Sequence, residues 1–233
     1  MGRDMEFEVY GHAGVPLLIF PTQGGRFYDY KNNGMIETLR PFIDDERVRV
    51  FAVDGADFEG VNLAGSNPLH AAWRMECYYR YITEEMVPRI RDYTQSDIGP
   101  ITHGCSMGAT HAANMYLRRP DLFQGVLAIS GCYDLRYFFG DAGGEYAHLN
   151  SPIRTLEGLP YDHPWIDYYR AGKICIVIGQ GAWEHELLPD NHRLRHLFQE
   201  KNIPVRFDFW GYDVNHDWPW WHKMLPYYLN DMV

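Results

Sequence analysis

Short apolar runs and longer stretches with helical spacing take turns along this chain. The runs at Val15–Phe20, Val48–Val53, 98–103, 125–130, Lys173–Ile178 and 205–210 are almost uninterrupted, as strands covered on both faces are. Between them, apolar positions recur three and four apart, which predicts helices at 34–43, 70–93, 109–117, 190–201 and 218–232. Asn67 and Pro68 are a cap and a first helical position for the second of these, and Pro88 should kink or split it. Residues 5–10 form an extra strand, which the glycines of 11–14 join to the next as a hairpin at the sheet edge. Strands alternating with helices predict an α/β fold: a mostly parallel central sheet, helices on both faces, Val15–Phe20 near its middle. One segment breaks the rhythm. Residues 132–172 are rich in aromatics and irregular, too long for a plain connection, and are expected to cover something. Their Gly140, Gly143, Gly144 and Gly158 suggest a mobile cover.

Composition narrows the function. With 233 residues, 46% of them apolar, the chain can bury one large core. A formal net charge of −10 argues against nucleic acid or an anionic membrane as partner. The nearest basic cluster, Arg118-Arg119, ends a predicted helix, where it complements the helix dipole. The first residues lack an apolar leader and no run approaches 18 apolar residues, so a cytoplasmic location is expected. Cys77, Cys105, Cys132 and Cys175 show no paired spacing and read as small buried thiols.

Gly104-Cys105-Ser106-Met107-Gly108 carries the chemistry. A G-x-S-x-G stretch between a strand and a helix is a sharp elbow that lifts the serine above the sheet edge. A serine hydroxyl needs a base within hydrogen-bond reach, and the base needs an orienting carboxylate. On such elbows the acid and then the histidine follow the serine. His216, in the loop after the last strand, can reach the sheet's carboxyl edge. The acid belongs after Lys173–Ile178, where Glu184 and Glu186 compete and Asp190 lies further out. Glu184, nearer the strand end, is favoured. Asp217 is disfavoured because a residue adjacent to the histidine tends to point away from its ring. Pro21-Thr-Gln-Gly-Gly25, at the end of the central strand, can bring backbone N–H groups to a ligand oxygen. His192 and His196 stand one helical turn apart, near His185, but without an H-E-x-x-H pattern they read as a solvated helix face and not a metal site.

The elbow with Ala109, His111 and Ala112, then Arg119-Pro-Asp-Leu-Phe123, Ser130-Gly131, and His216-Asp-Trp218 followed by Trp221 and Leu225, together resemble the esterase D branch of the α/β hydrolases, which also holds feruloyl esterases and mycolyltransferases. The resemblance runs from about Leu17 to Leu225. It implies a single α/β-hydrolase domain over 1–233, with the aromatic insert over the active site. It also implies an acyl-enzyme mechanism without cofactor or metal, and a triad of Ser106, an acid and His216. The oxyanion hole of the branch would fall on the backbone of Met107 and of Gln23 or Gly24. Two departures stand out. Gly179-Gln-Gly-Ala182 replaces the aspartate common in the branch, leaving Glu184, at a spacing from His216 similar to mycolyltransferase-like members that use glutamate. Pro-Thr-Gln-Gly-Gly also replaces the commoner His-Gly-x-Gly-Gly.

The sequence therefore reads as a serine esterase acting on a small-molecule ester, with Tyr133, Trp183 and Trp218 as candidate substrate contacts. The aromatic insert suits an apolar or aromatic acyl group, or a sugar stacked on a ring. Two rivals are an acyltransferase with the same triad and a non-catalytic binding protein on the same fold.

Overall fold

In a computed structural model covering residues 1–233, seven strands form one sheet. They are β1 (Phe7–Tyr10), β2 (Val15–Phe20), β3 (Val48–Val53), β4 (Ile101–Cys105), β5 (Gly125–Ile129), β6 (Lys173–Ile178) and β7 (Arg206–Phe209). Their spatial order is β1-β3-β2-β4-β5-β6-β7, and every pair is parallel except β1 with β3. The expected hairpin of β1 with β2 does not form. Both edges of β2 are taken by parallel neighbours, so β1 passes over to the outer edge of β3, pairing Phe7 with Val53 and Tyr10 with Val50. Gly14 makes that crossing feasible: a Cβ there would lie 2.4 Å from the Arg47 carbonyl carbon.

The chain leaves β2 toward β3, then returns to the other side of β2 to start β4. The loops after β2 and β4 therefore diverge, and the crevice they open at the strands' carboxyl ends is where open α/β sheets take ligands.

Eleven helices cover the sheet: α1 (Asp29–Asn32), α2 (Met35–Asp44), α3 (Pro68–Arg80), α4 (Val87–Thr94), α5 (Met107–Arg118), α6 (Arg136–Phe139), α7 (Gly144–Leu149), α8 (Pro152–Gly158), α9 (Trp165–Ala171), α10 (Leu188–Glu200) and α11 (Trp218–Leu229). The strand pleat divides the core between the two faces. Leu18, Phe20, Phe51 and Val126 face α3, α4, α5 and α10, whereas Leu17, Ile19, Val50 and Leu127 face α2 and α11. Each large apolar side chain removed from water this way contributes about 1.5–3 kcal/mol before conformational entropy is charged against it. Asn67 caps α3 by accepting from His70 N–H, and Pro68 takes its first position. The break expected at Pro88 takes the form of a π-helical stretch, Tyr81–Met86, between α3 and α4. Proline lacks an N–H and crowds the carbonyl four residues back, and a wider turn relieves both. None of these helices is long and apolar enough to cross a membrane.

The insert contains α6 to α9 and is tied down by buried polar groups. Asn150 bonds Asn114 at 2.9 Å and Glu76 at 3.0 Å, and Arg118 grips Glu76 through two hydrogen bonds. Arg118 thus serves the insert, and Arg119 pairs with Asp121, where the sequence suggested only a dipole partner. Asp190 accepts from the N–H groups of Tyr133 and Asp134 at the insert's entry. Gly140, just after α6, and Gly144, opening α7, both hold positive φ.

Candidate active site

Ser106 sits between the end of β4 and the start of α5 with φ 57° and ψ −127°, outside the conformations that a non-glycine residue adopts freely. The fold forces this geometry through close packing on both sides. A Cβ on Gly104 would lie 2.2 Å from the Gly108 carbonyl carbon, and one on Gly108 would lie 2.5 Å from Phe20 O and 2.7 Å from Pro21 O. Backbone atoms cannot step aside as a flexible side chain can. Gly108→Ala is therefore expected to destabilise the protein by about 3 kcal/mol, the upper end for overpacking, read as a lowered midpoint of denaturant unfolding. An unchanged midpoint would show that the elbow can relax.

His216 stands over the serine, its Nε2 2.8 Å from Ser106 Oγ, and its Nδ1 lies 3.0 Å from Glu184 Oε2. The loops that carry the acid and the histidine touch. Gly181 N–H donates to Val214 O at 2.8 Å, Ala182 N–H to Asn215 Oδ1 at 2.9 Å, and His216 N–H to Ala182 O at 3.0 Å. Any Cβ on Gly179 or Gly181 would collide with Val214 O, so the Gly-Gln-Gly run lets the two loops meet. Glu184 is fully buried. Its other oxygen accepts from Ser130 O–H and, at 3.3 Å, from Gly179 N–H, while Trp221 Nε1–H donates to Ser130 Oγ at 3.1 Å. The Trp221 ring also meets the His216 imidazole edge to face, with centroids 5.1 Å apart. No Lys or Arg side chain pairs with Glu184. Three donors hold it instead: the histidine, a serine and a backbone amide.

The other carboxylates are placed elsewhere. Glu186 is exposed and accepts from Tyr137 O–H at 2.6 Å, a bond that pushes the phenol up to about 12 and keeps its proton on oxygen. Asp190 holds the insert's entry, and Asp217 caps α11 by accepting from Trp218 N–H. His103, three residues before the serine, is buried neutral: desolvation lowers it to about 4, and its ring bonds Leu127 O and Tyr30 O–H. His192 stacks on Phe209 and His196 pairs with Glu200, so the two are not directed at a common ion.

The backbone N–H groups expected to meet a substrate oxygen are unevenly free. Met107 is the first residue of α5, where an N–H has no partner within the helix. Gly24 is excluded as a donor by a feature the sequence did not announce: its N–H is taken by Asp57 Oδ2 at 3.2 Å, and Asp57 is buried and paired with His111 at 2.9 Å. Gln23 N–H has no acceptor in the protein, while its side chain is held by Asn62 Oδ1 at 2.8 Å. Of the two expected donors on this loop, Gln23 alone is available.

A cleft of about 190 Å³ opens over the serine, lined by Gln23, Ser106, Met107, Ser130, Cys132, Tyr137, Phe138, Trp183, Glu186, Leu187 and His216. Trp183 is there as expected. Tyr133 is not: at the start of the insert it is wholly buried, its ring part of the main apolar core. Trp218 is likewise withdrawn, packed edge to face on Tyr30 and Trp221. The aromatic contacts instead come from Tyr137 and Phe138 on α6, which no periodicity in the insert singled out. A larger hollow of about 390 Å³, lined by Tyr79, Arg118, Trp165 and others, does not include the serine or His216.

Residues 1–232 match the family model described as Putative esterase. No curated protein matches the chain in sequence. Among solved structures, it is similar to a ferulic acid esterase (TM-score 0.69, 16% identity, covering 95% of this chain and 89% of that one). An S-formylglutathione hydrolase from Agrobacterium tumefaciens matches with TM-score 0.71 and 16% identity, covering 98% of this chain and 90% of the other. MPT51 from Mycobacterium tuberculosis matches with TM-score 0.74 and 11% identity, covering 99% and 93%. At such identities the likeness establishes the α/β-hydrolase fold and leaves the chemistry to the site.

Proposed function

This chain belongs to the family described as Putative esterase, and on that premise we propose that it hydrolyses carboxylic esters through an acyl-enzyme on Ser106. The observation that carries the reading is the continuous relay of Ser106 Oγ, His216 and buried Glu184, with contacts of 2.8 and 3.0 Å. Ser106 Oγ attacks the ester carbonyl carbon while its proton passes to His216 Nε2. Glu184 fixes the tautomer by accepting from Nδ1–H and stabilises the imidazolium that forms. The carbonyl oxygen, now carrying the negative charge, is held by Met107 N–H and Gln23 N–H. Collapse breaks the bond to the alcohol oxygen, which leaves with the proton from Nε2. Water then attacks the acyl-enzyme by the same route in reverse, freeing the acid and restoring the serine.

Whether water or an alcohol takes the acyl group depends on access to that intermediate. Tyr137 and Trp183 at the cleft are 54% and 73% exposed, so water reaches the site freely and favours hydrolysis. The test is product partitioning for p-nitrophenyl esters of graded chain length, in buffer containing millimolar glycerol or sugar. Most of the acyl group is expected as free acid. Recovery mainly on the acceptor would replace the hydrolase by an acyltransferase, and no turnover of any ester, with no phosphonate adduct, would leave a binding protein.

A further inference from the structure

We infer that the cleft selects esters that carry a positive charge, an ammonium group in the acyl or the alcohol part, over neutral and anionic esters of the same shape. The inference rests on the proposed ester chemistry at Ser106 and adds the substrate class. Its basis is a charge imbalance. No Lys or Arg lines the cleft, and Glu186 is the one carboxylate that does. That carboxylate has no cationic partner and receives a single hydrogen bond, from the neutral phenol of Tyr137. Two buried carboxylates at the insert are paired by contrast: Asp134 has the guanidinium groups of Arg136, Arg193 and Arg154 within 3.6 Å, and Glu76 has Arg118. Glu186 thus leaves an uncompensated negative charge where substrate must lie.

The rings around Glu186 favour the same ligand. An aromatic face attracts a cation through its quadrupole, tryptophan most strongly. Trp183 is held at φ 66° and 73% exposed, so neither backbone preference nor burial accounts for its position. Tyr137 and Phe138 meet edge to face at 5.0 Å on the same cleft. A neutral aromatic acyl group would strip water from Glu186 and offer nothing in return. A sugar would need several partners for its hydroxyls, yet Gln23 Nε2–H is engaged by Asn62, and Ser130 by Glu184 and Trp221. An ammonium group satisfies both the carboxylate and the rings, and the net charge of −10 draws it in.

The test separates charge from shape by exchanging nitrogen for carbon. For a charge in the alcohol part, acetylthiocholine is compared with S-(3,3-dimethylbutyl) thioacetate. For a charge in the acyl part, p-nitrophenyl 4-(trimethylammonio)butanoate is compared with p-nitrophenyl 5,5-dimethylhexanoate. Binding to the Ser106→Ala protein, read by calorimetry, is expected to favour the cation at least ~10-fold in one of the two pairs, and Glu186→Gln in that background should bring the ratio to within about twofold. The same ratio should appear in kcat/KM of the unsubstituted protein and shrink with added salt. Equal binding within both pairs, or a preference that survives Glu186→Gln, overturns the inference. Preferential binding of the cation without hydrolysis of any ester would uphold the inference and overturn the esterase reading instead.

Discussion

Ser106→Ala is expected to lose all labelling by a fluorophosphonate and about 10⁵–10⁶-fold in kcat toward any ester the protein hydrolyses, the size of effect seen when a triad nucleophile is removed. Three serine or cysteine side chains line the cleft: Ser106, Ser130 and Cys132. Only the first is hydrogen-bonded to a histidine. Ser130 O–H donates to Glu184 and its oxygen accepts from Trp221 Nε1–H, so the hydroxyl is engaged on both sides. Cys132 is held as a thiol, because burial and the nearby Asp190 push its pKa well above the ordinary value. Intact-mass spectrometry should therefore show one adduct on the unsubstituted protein and none on Ser106→Ala. An adduct that survives the substitution would move the nucleophile to Ser130 or Cys132.

The order of strands and helices was legible because it is written in periodicity, but neighbours were not. Val15–Phe20 announces a buried central strand, yet nothing in residues 5–10 says that they pair with β3 and not with the strand that follows. Pairing is decided by which edges are left open once the parallel strands have assembled, a property of the whole sheet. The helix break at Pro88 was legible for the opposite reason: a missing N–H acts locally whatever surrounds it.

The same division runs through the site. The elbow, His216 and the choice of Glu184 over Glu186 follow from where each lies relative to a strand end, and the structure brings these three together. What escaped were residues whose role comes from contacts across the chain. Asp57 reaches 33 positions back to occupy Gly24 N–H, and Trp221 and Ser130 meet 91 positions apart to support the acid. Ser130-Gly131 was among the matching motifs, which was the available signal. In the insert, aromatics mark burial and exposure alike: Tyr133 is sealed in the core, and Tyr137, four residues on, is at the cleft.

Glu184→Gln should lower kcat by about 10³–10⁴-fold while KM changes by less than about threefold, since the acid acts on the base and not on the substrate. The expected loss follows from counting donors around the buried carboxylate. His216 Nδ1–H, Ser130 O–H and Gly179 N–H all point at it, and an ionised carboxylate accepts all three. An amide has one oxygen. If that oxygen turns to Ser130 and Gly179, the NH₂ group faces His216, whose Nδ1 must then give up its proton and leave it on Nε2, so the ring can no longer take one from Ser106. If the oxygen turns to His216, the NH₂ group opposes Gly179 N–H, and the charge that stabilises the imidazolium is still gone. Both orientations cost activity. Fluorophosphonate labelling of Ser106 should slow in parallel, because it needs the same proton transfer, while a thermal melt checks that the fold has survived the amide. A kcat within tenfold of the unsubstituted protein, with the melt unchanged, would mean that His216 keeps its tautomer through another group, and Glu184 would lose the role.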